Sequence, residues 1–257
     1  MERRSFTYQD LQLSYLDSGG SGPVLIALHA HWMEARTFAP LAAALAPEWR
    51  VVALDQRGHG YSAHASSYTR QDYLDDLRAL YEHLGIASAI LLGNSLGGVN
   101  AYQFAAAWPE RVRGLIIEDI GVAPVPGTDD TSFSLKWSGS FASRGELAER
   151  VGPRFLPYLA ESFRETSDGW RLAFEPRETE ESQACLKGDH WRDWLTSSCP
   201  ALIIRGQDSR VTNQRQLEEM AERRPASRLV VLPAGHVVHF DDPEGFTAQV
   251  RSFLAEL

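Results

Sequence analysis

The chain has 257 residues, enough for one large domain with an insertion and too few for two full ones. Hydrophobic residues make up 44% and charged residues 23%, a balance that excludes a disordered chain. A net charge of -9 with no contiguous basic run argues against a nucleic-acid partner, because nothing is present to displace phosphate counterions. Residues 3–8 and 11–17 alternate apolar and polar side chains and are followed by the breaker Asp17-Ser18-Gly19-Gly20-Ser21-Gly22-Pro23, which predicts an antiparallel hairpin. Val24-Leu25-Ile26-Ala27-Leu28 does not alternate, as expected of a strand buried on both faces of a parallel sheet, and it ends at His29-Ala30-His31-Trp32.

Strand and helix patterns then take turns. Residues 37–46 carry Phe38, Leu41, Ala42 and Leu45 at helical spacing, and Arg50-Val51-Val52-Ala53-Leu54 is another buried strand. Asp55-Gln56-Arg57-Gly58-His59-Gly60 is a glycine-punctuated turn, and residues 69–84 form an amphipathic helix stopped by Gly85. Ala89-Ile90-Leu91-Leu92 precedes Gly93-Asn94-Ser95-Leu96-Gly97-Gly98 and a helix over 99–105, and a further buried strand spans 114–119. From 121 to 200 the buried-strand runs vanish and prolines, tryptophans and charged amphipathic segments replace them, which predicts a helical insertion rather than more sheet. The alternation resumes with strands at 201–205 and 228–232 and helices at 213–223 and 243–257. The expected fold is a mostly parallel, doubly wound α/β sheet, with residues 1–120 and 201–257 as its core.

Active groups of such a sheet gather on loops beyond the carboxyl ends of its strands. A serine with glycine two residues away on either side, between a buried strand and a helix, reads as a nucleophile elbow, and it lifts Ser95 to a strand tip. A serine hydroxyl needs a base, and the base needs a carboxylate to fix its tautomer. His236, in Gly235-His236-Val237-Val238-His239, supplies an imidazole, and Asp208, in Gly206-Gln207-Asp208, supplies a carboxylate in the order Ser, Asp, His that accompanies this elbow. Asp119, at the exit of the preceding strand, is the rival acid. His29 and His59 are expected to tie turns together, and His239 to tie its segment to the loop.

With these residues in view the chain resembles the α/β-hydrolase family, in the branch that carries a histidine-led oxyanion turn, D-x-R-G-x-G-x-S, the serine elbow and G-H-x-x-H. The resemblance implies that Ser95 is nucleophile, His236 general base and Asp208 its orienting acid, with the N–H groups of His31 and Leu96 forming an oxyanion hole. It also implies that residues 121–200 are a lid after the sixth strand, with Trp32 and Trp137 as candidate pocket walls. Some relatives place the acid after the sixth strand, where Asp119 stands. Ala30 occupies the position where the family has glycine, so a left-handed turn there would be strained.

The nucleophile excludes the haloalkane dehalogenases and epoxide hydrolases of this branch, which need a carboxylate at that position. The expected function is a carboxylic-ester hydrolase acting on a small ester without cofactor. A carbon-carbon bond hydrolase and a small-molecule receptor that retains the triad are the alternatives. Cys185 and Cys199 stand in no C-x-x-C or histidine cluster, so no metal is expected. The start of the chain lacks an apolar run behind Arg3 and Arg4, which points to the cytoplasm, and no stretch reaches the ~20 apolar residues of a membrane span.

Overall fold

A computed structural model describes residues 1–127 and 130–257; positions 128 and 129 of the expected insertion lie outside the described residues. The strands in chain order are β1 (Glu2–Tyr8), β2 (Leu11–Asp17), β3 (Val24–Leu28), β4 (Arg50–Asp55), β5 (Ala89–Asn94), β6 (Val112–Glu118), β7 (Phe163–Thr166), β8 (Gly169–Leu172), β9 (Ala201–Gly206) and β10 (Ser227–Leu232). Eight of them form one sheet in the order β1-β2-β4-β3-β5-β6-β9-β10. Only β2 runs against the rest, pairing antiparallel with both β1 and β4. The unbroken apolar runs of β3, β5, β6 and β9 fall in the middle of this sheet, where both faces are covered.

The helices are α1 (Ala39–Leu45), α2 (Arg70–Leu84), α3 (Leu96–Ala107), α4 (Arg144–Val151), α5 (Leu156–Leu159), α6 (Pro176–Leu186), α7 (Trp191–Thr196), α8 (Gln214–Arg223), α9 (Val238–Asp241) and α10 (Pro243–Leu254). On one face of the sheet Leu77 and Leu80 of α2, Val99 and Phe104 of α3, and Leu217 and Met220 of α8 share a core; on the other, Leu41 and Leu45 of α1 pack with Phe246, Val250 and Phe253 of α10. α2 begins with a reciprocal Thr69/Asp72 capping box and ends at Gly85 with φ 64°, so both of its ends are written in local sequence. α3 is buried from Leu96 to Gln103 and beyond, which is why its sequence is apolar all round rather than striped.

Between β6 and β9 the chain leaves the main sheet and builds a separate apolar cluster around Trp137, Phe141, Leu147, Leu159, Phe163 and Phe174. The expected helical insertion contains helices α4 to α7, and it also carries sheet that was not expected: β7 and β8 form an antiparallel hairpin extended by a bridge from Phe141 to Trp170. These strands are four residues long and half exposed, so neither gives a buried-strand run. The excursion has a narrow neck. The His190 N–H donates to the Val122 carbonyl at 2.7 Å, and α7, directly after it, returns to the core with Trp194 edge-on to Tyr102 and its indole N–H on the Met220 carbonyl. Val122 and His190 both lie within the expected segment 121–200.

Candidate active site

The turn from β5 into α3 is closed so tightly that a Cβ on Gly93 would stand 2.1 Å from the Gly97 carbonyl oxygen, and one on Gly97 2.1 Å from that of Leu28. Glycine is therefore required at both positions. Ser95 takes up the turn with φ 51° and ψ -115°, a strained conformation for a residue with a Cβ, and its backbone is pinned by its own N–H to the Glu118 carbonyl at 3.1 Å. Leu96 is the first residue of α3, so its N–H belongs to the helix-start amides that have no partner within the helix. Asn94 braces the turn: its Nδ2 donates to the carbonyls of Glu118 and His236, at 3.2 and 3.1 Å.

The imidazole of His236 faces Asp119. Its Nδ1 lies 2.7 Å from Asp119 Oδ2. The Asp119 carboxylate is fully buried and also accepts hydrogen bonds from the Gly206 N–H, the Ser209 hydroxyl and the Thr212 hydroxyl. Asp119 reaches this position through a left-handed backbone, φ 48°, which aspartate tolerates better than most side chains. This corrects the expected pairing with Asp208. The Asp208 side chain is exposed at the cavity wall, and its backbone N–H donates to the Ala234 carbonyl at 2.9 Å. The loop after β9 contributes the Ser209 and Thr212 hydroxyls as donors to Asp119.

The turn after β3 also departs from expectation. The Met33 N–H donates to the Ala30 carbonyl at 3.3 Å, and the residue in the left-handed region is Trp32, φ 69°, not Ala30. A turn of type II needs positive φ only at its third residue, so an alanine at its first is unstrained. The His31 ring is buried, and its Nε2 lies 2.8 Å from Ser182 Oγ in α6. Ser95, His236, His31 and Trp32 line one cavity of about 690 Å³, walled further by Phe133, Phe155 and Tyr158 of the insertion. Trp137 is not in this wall: it stands behind Trp32, its ring edge-on at 5.7 Å. Among the described residues no group of three or more His, Cys, Asp or Glu side chains is placed to hold a metal ion, and no helix is long and apolar enough to cross a membrane.

The profile of the alpha/beta hydrolase family matches residues 19–249. The chain belongs to that family. It is 28% identical over 249 residues to a 2-(acetamidomethylene)succinate hydrolase of Mesorhizobium japonicum, covering 91% of this chain and 89% of the relative. It is 26% identical to an esterase/lipase, so named provisionally, of Haemophilus influenzae, covering 90% and 83%. The crystal structure of an E-2-(acetamidomethylene)succinate hydrolase superposes with a TM-score of 0.91 at 24% identity, over 99% of both chains. These comparisons make this member of the family a hydrolase.

Three further histidines of this alpha/beta hydrolase, His239, His29 and His59, tie turns and segments together. His239 holds both oxygens of the buried Glu118 through Nδ1 and Thr37 through Nε2. His29 Nδ1–H donates to the Ala30 carbonyl and its Nε2 accepts the Gln56 N–H, while His59 Nδ1–H donates to the Arg57 carbonyl. Arg57 is itself held by a buried bidentate pair with Asp76, at 2.7 and 2.8 Å. Burial pushes the His29 imidazole down to about 4 and that of His59 to about 3. An unfolded imidazole titrates near ~6.5, so between these values the unfolded chain binds protons that the native chain refuses. The stability contributed by neutral burial is complete above about 6.5 and drains as pH falls toward 4, at up to ~1.4 kcal/mol per pH unit for each ring. The urea midpoint is expected to hold from pH 8 to 7 and to fall steadily below 6.5. His59→Asn, which keeps a donor for the Arg57 carbonyl, should flatten that fall, and an unchanged slope would remove His59 from it.

Proposed function

We propose that the protein is a serine esterase that cleaves a small carboxylic ester through an acyl-enzyme intermediate, with the insertion as its lid. The observation that carries this reading is the pairing of His236 with a buried, four-fold hydrogen-bonded Asp119 in the same cavity as Ser95 on its strained elbow. In this mechanism Ser95 Oγ attacks the acyl carbonyl while His236 Nε2 takes the hydroxyl proton and returns it to the departing alcohol. Asp119 keeps the proton of Nδ1 in place and stabilises the imidazolium. The N–H groups of His31 and Leu96 receive the oxyanion of the tetrahedral intermediate, and water activated by His236 then releases the acid. The aromatic wall of Trp32, Phe133 and Phe155, whose rings lie 5.2 to 5.9 Å apart, suits an apolar acyl or alcohol group.

The similarity to a hydrolase whose named substrate is not a simple ester favours one second reading, in which the same machinery opens a carbon-carbon or amide bond. A panel of p-nitrophenyl esters of increasing acyl length separates the two. Multiple turnovers with a preference for short acyl groups are expected. Stoichiometric labelling of Ser95 by a fluorophosphonate without turnover of any ester would transfer the assignment to the second reading.

A further inference from the structure

The oxyanion turn is held from the insertion side. His31 Nε2 meets Ser182 Oγ at 2.8 Å, and the same oxygen lies 2.8 Å from the Tyr73 hydroxyl of α2. Ser182 is fully buried, and Tyr73 and His31 nearly so. Next along the turn, the Trp32 carbonyl accepts from the Ser162 hydroxyl at 3.3 Å. Three parts of the molecule thus meet at one buried hydroxyl of α6: the turn after β3, the helix α2 of the core, and the insertion itself.

The three groups of this relay are all neutral. Burial keeps the Tyr73 phenol protonated and holds the His31 imidazole neutral, well below its ordinary range. Ser182 Oγ carries a single proton and bridges the two neutral groups, so it donates to at most one of the His31 Nε2 and Tyr73 hydroxyl partners and accepts from the other. Loss of the middle hydroxyl removes the partner of both the buried His31 Nε2 and the buried Tyr73 hydroxyl.

We infer that Ser182 is a positioning residue for the oxyanion donor: through the His31 ring it sets where the His31 N–H points, and so ties transition-state stabilisation to the seating of the insertion. The inference rests on the esterase reading above. A ring fixed at its far end leaves the His31 backbone little rotation, and oxyanion donors act only when held at ~2.7–3.1 Å from the developing charge. Full removal of such a donor costs ~10²–10³ in kcat, so a loosened one is expected to cost about tenfold.

The test uses Ser182→Ala with p-nitrophenyl acetate, butyrate and octanoate, beside the wild type and Ser95→Ala. The expected result is a kcat lowered about tenfold by the same factor on all three esters and a KM within about twofold. An alkyl boronic acid, which mimics the tetrahedral intermediate, should bind about tenfold more weakly. Tyr73→Phe keeps the ring and removes only its hydroxyl, so it should lower kcat about threefold, and the double variant should be no slower than Ser182→Ala alone. Should Ser182→Ala fail to fold, Tyr73→Phe decides by the same kcat and boronate readings. Wild-type kcat and boronate affinity in the folded variants would overturn the inference, as would a loss confined to KM or to one acyl length, which assigns Ser182 to pocket packing. Turnover by Ser95→Ala would overturn the esterase reading and this inference together. With Ser95→Ala inactive, the Ser182→Ala result bears on the positioning role alone.

Discussion

Replacing Ser95 with alanine is expected to leave a folded protein whose ester hydrolysis is lowered by ~10⁴-fold or more. Alanine keeps the Cβ, so the elbow's φ of 51° and ψ of -115° cost the variant no more than they cost the parent, and Gly93 and Gly97 still permit the turn. What disappears is the attacking oxygen. Nucleophile and base act as a unit, so His236 and Asp119 cannot compensate in part. The check is a comparison of kcat and fluorophosphonate labelling with the thermal midpoint held as control. A variant that keeps a tenth of the parental kcat would remove Ser95 from the mechanism.

Asp119→Asn is expected to lower kcat by ~10⁴-fold, the cost of the equivalent change in serine proteases. The carboxylate accepts from four donors, and an asparagine offers one carbonyl oxygen and an amide that donates. With the amide turned toward His236 Nδ1, the ring is driven into the Nε2–H tautomer and cannot take the serine proton. Asp208→Asn alters an exposed side chain and should change kcat by less than about tenfold. Steady-state kinetics on the two folded variants decide the matter, and the opposite ranking would return the acid role to Asp208.

Much of this architecture was legible in the chain because its signals are local. The apolar runs of β3, β5, β6 and β9 announce strands covered on both faces, and the glycines around Ser95 announce a turn that admits no side chain. Which carboxylate faces His236 was not legible. Asp119 and Asp208 both follow buried strands, and their order along the chain does not record which loop turns its donors inward. That depends on Ser209 and Thr212, two residues with no distinguishing pattern, converging with the Gly206 N–H on a carboxylate that arrives through a left-handed backbone. Trp32 and Trp137 likewise read alike in sequence, and only tertiary packing puts the first in the cavity wall and the second behind it. Asn94, Ser182 and Ser209 carried no sequence signal, since each matters only through partners 24 or more residues away.

The neck at Val122 and His190 brings the two ends of the excursion together. β6 and β9 run in the same direction, so some segment must carry the chain from the top of one to the bottom of the other, and α7 does that below the neck without help from the hairpin or α4 to α6. Where two ends of a loop already touch, at 2.7 Å, a short linker closes the gap with little loss of chain entropy. A foreign segment spliced between the same two residues leaves Ser95, Asp119 and His236 on core loops, but it must supply a hydroxyl where Ser182 meets His31 and Tyr73. The excursion can therefore vary in its aromatic wall, Phe133, Phe155 and Tyr158, while the Ser182 contact keeps the turn after β3 in register.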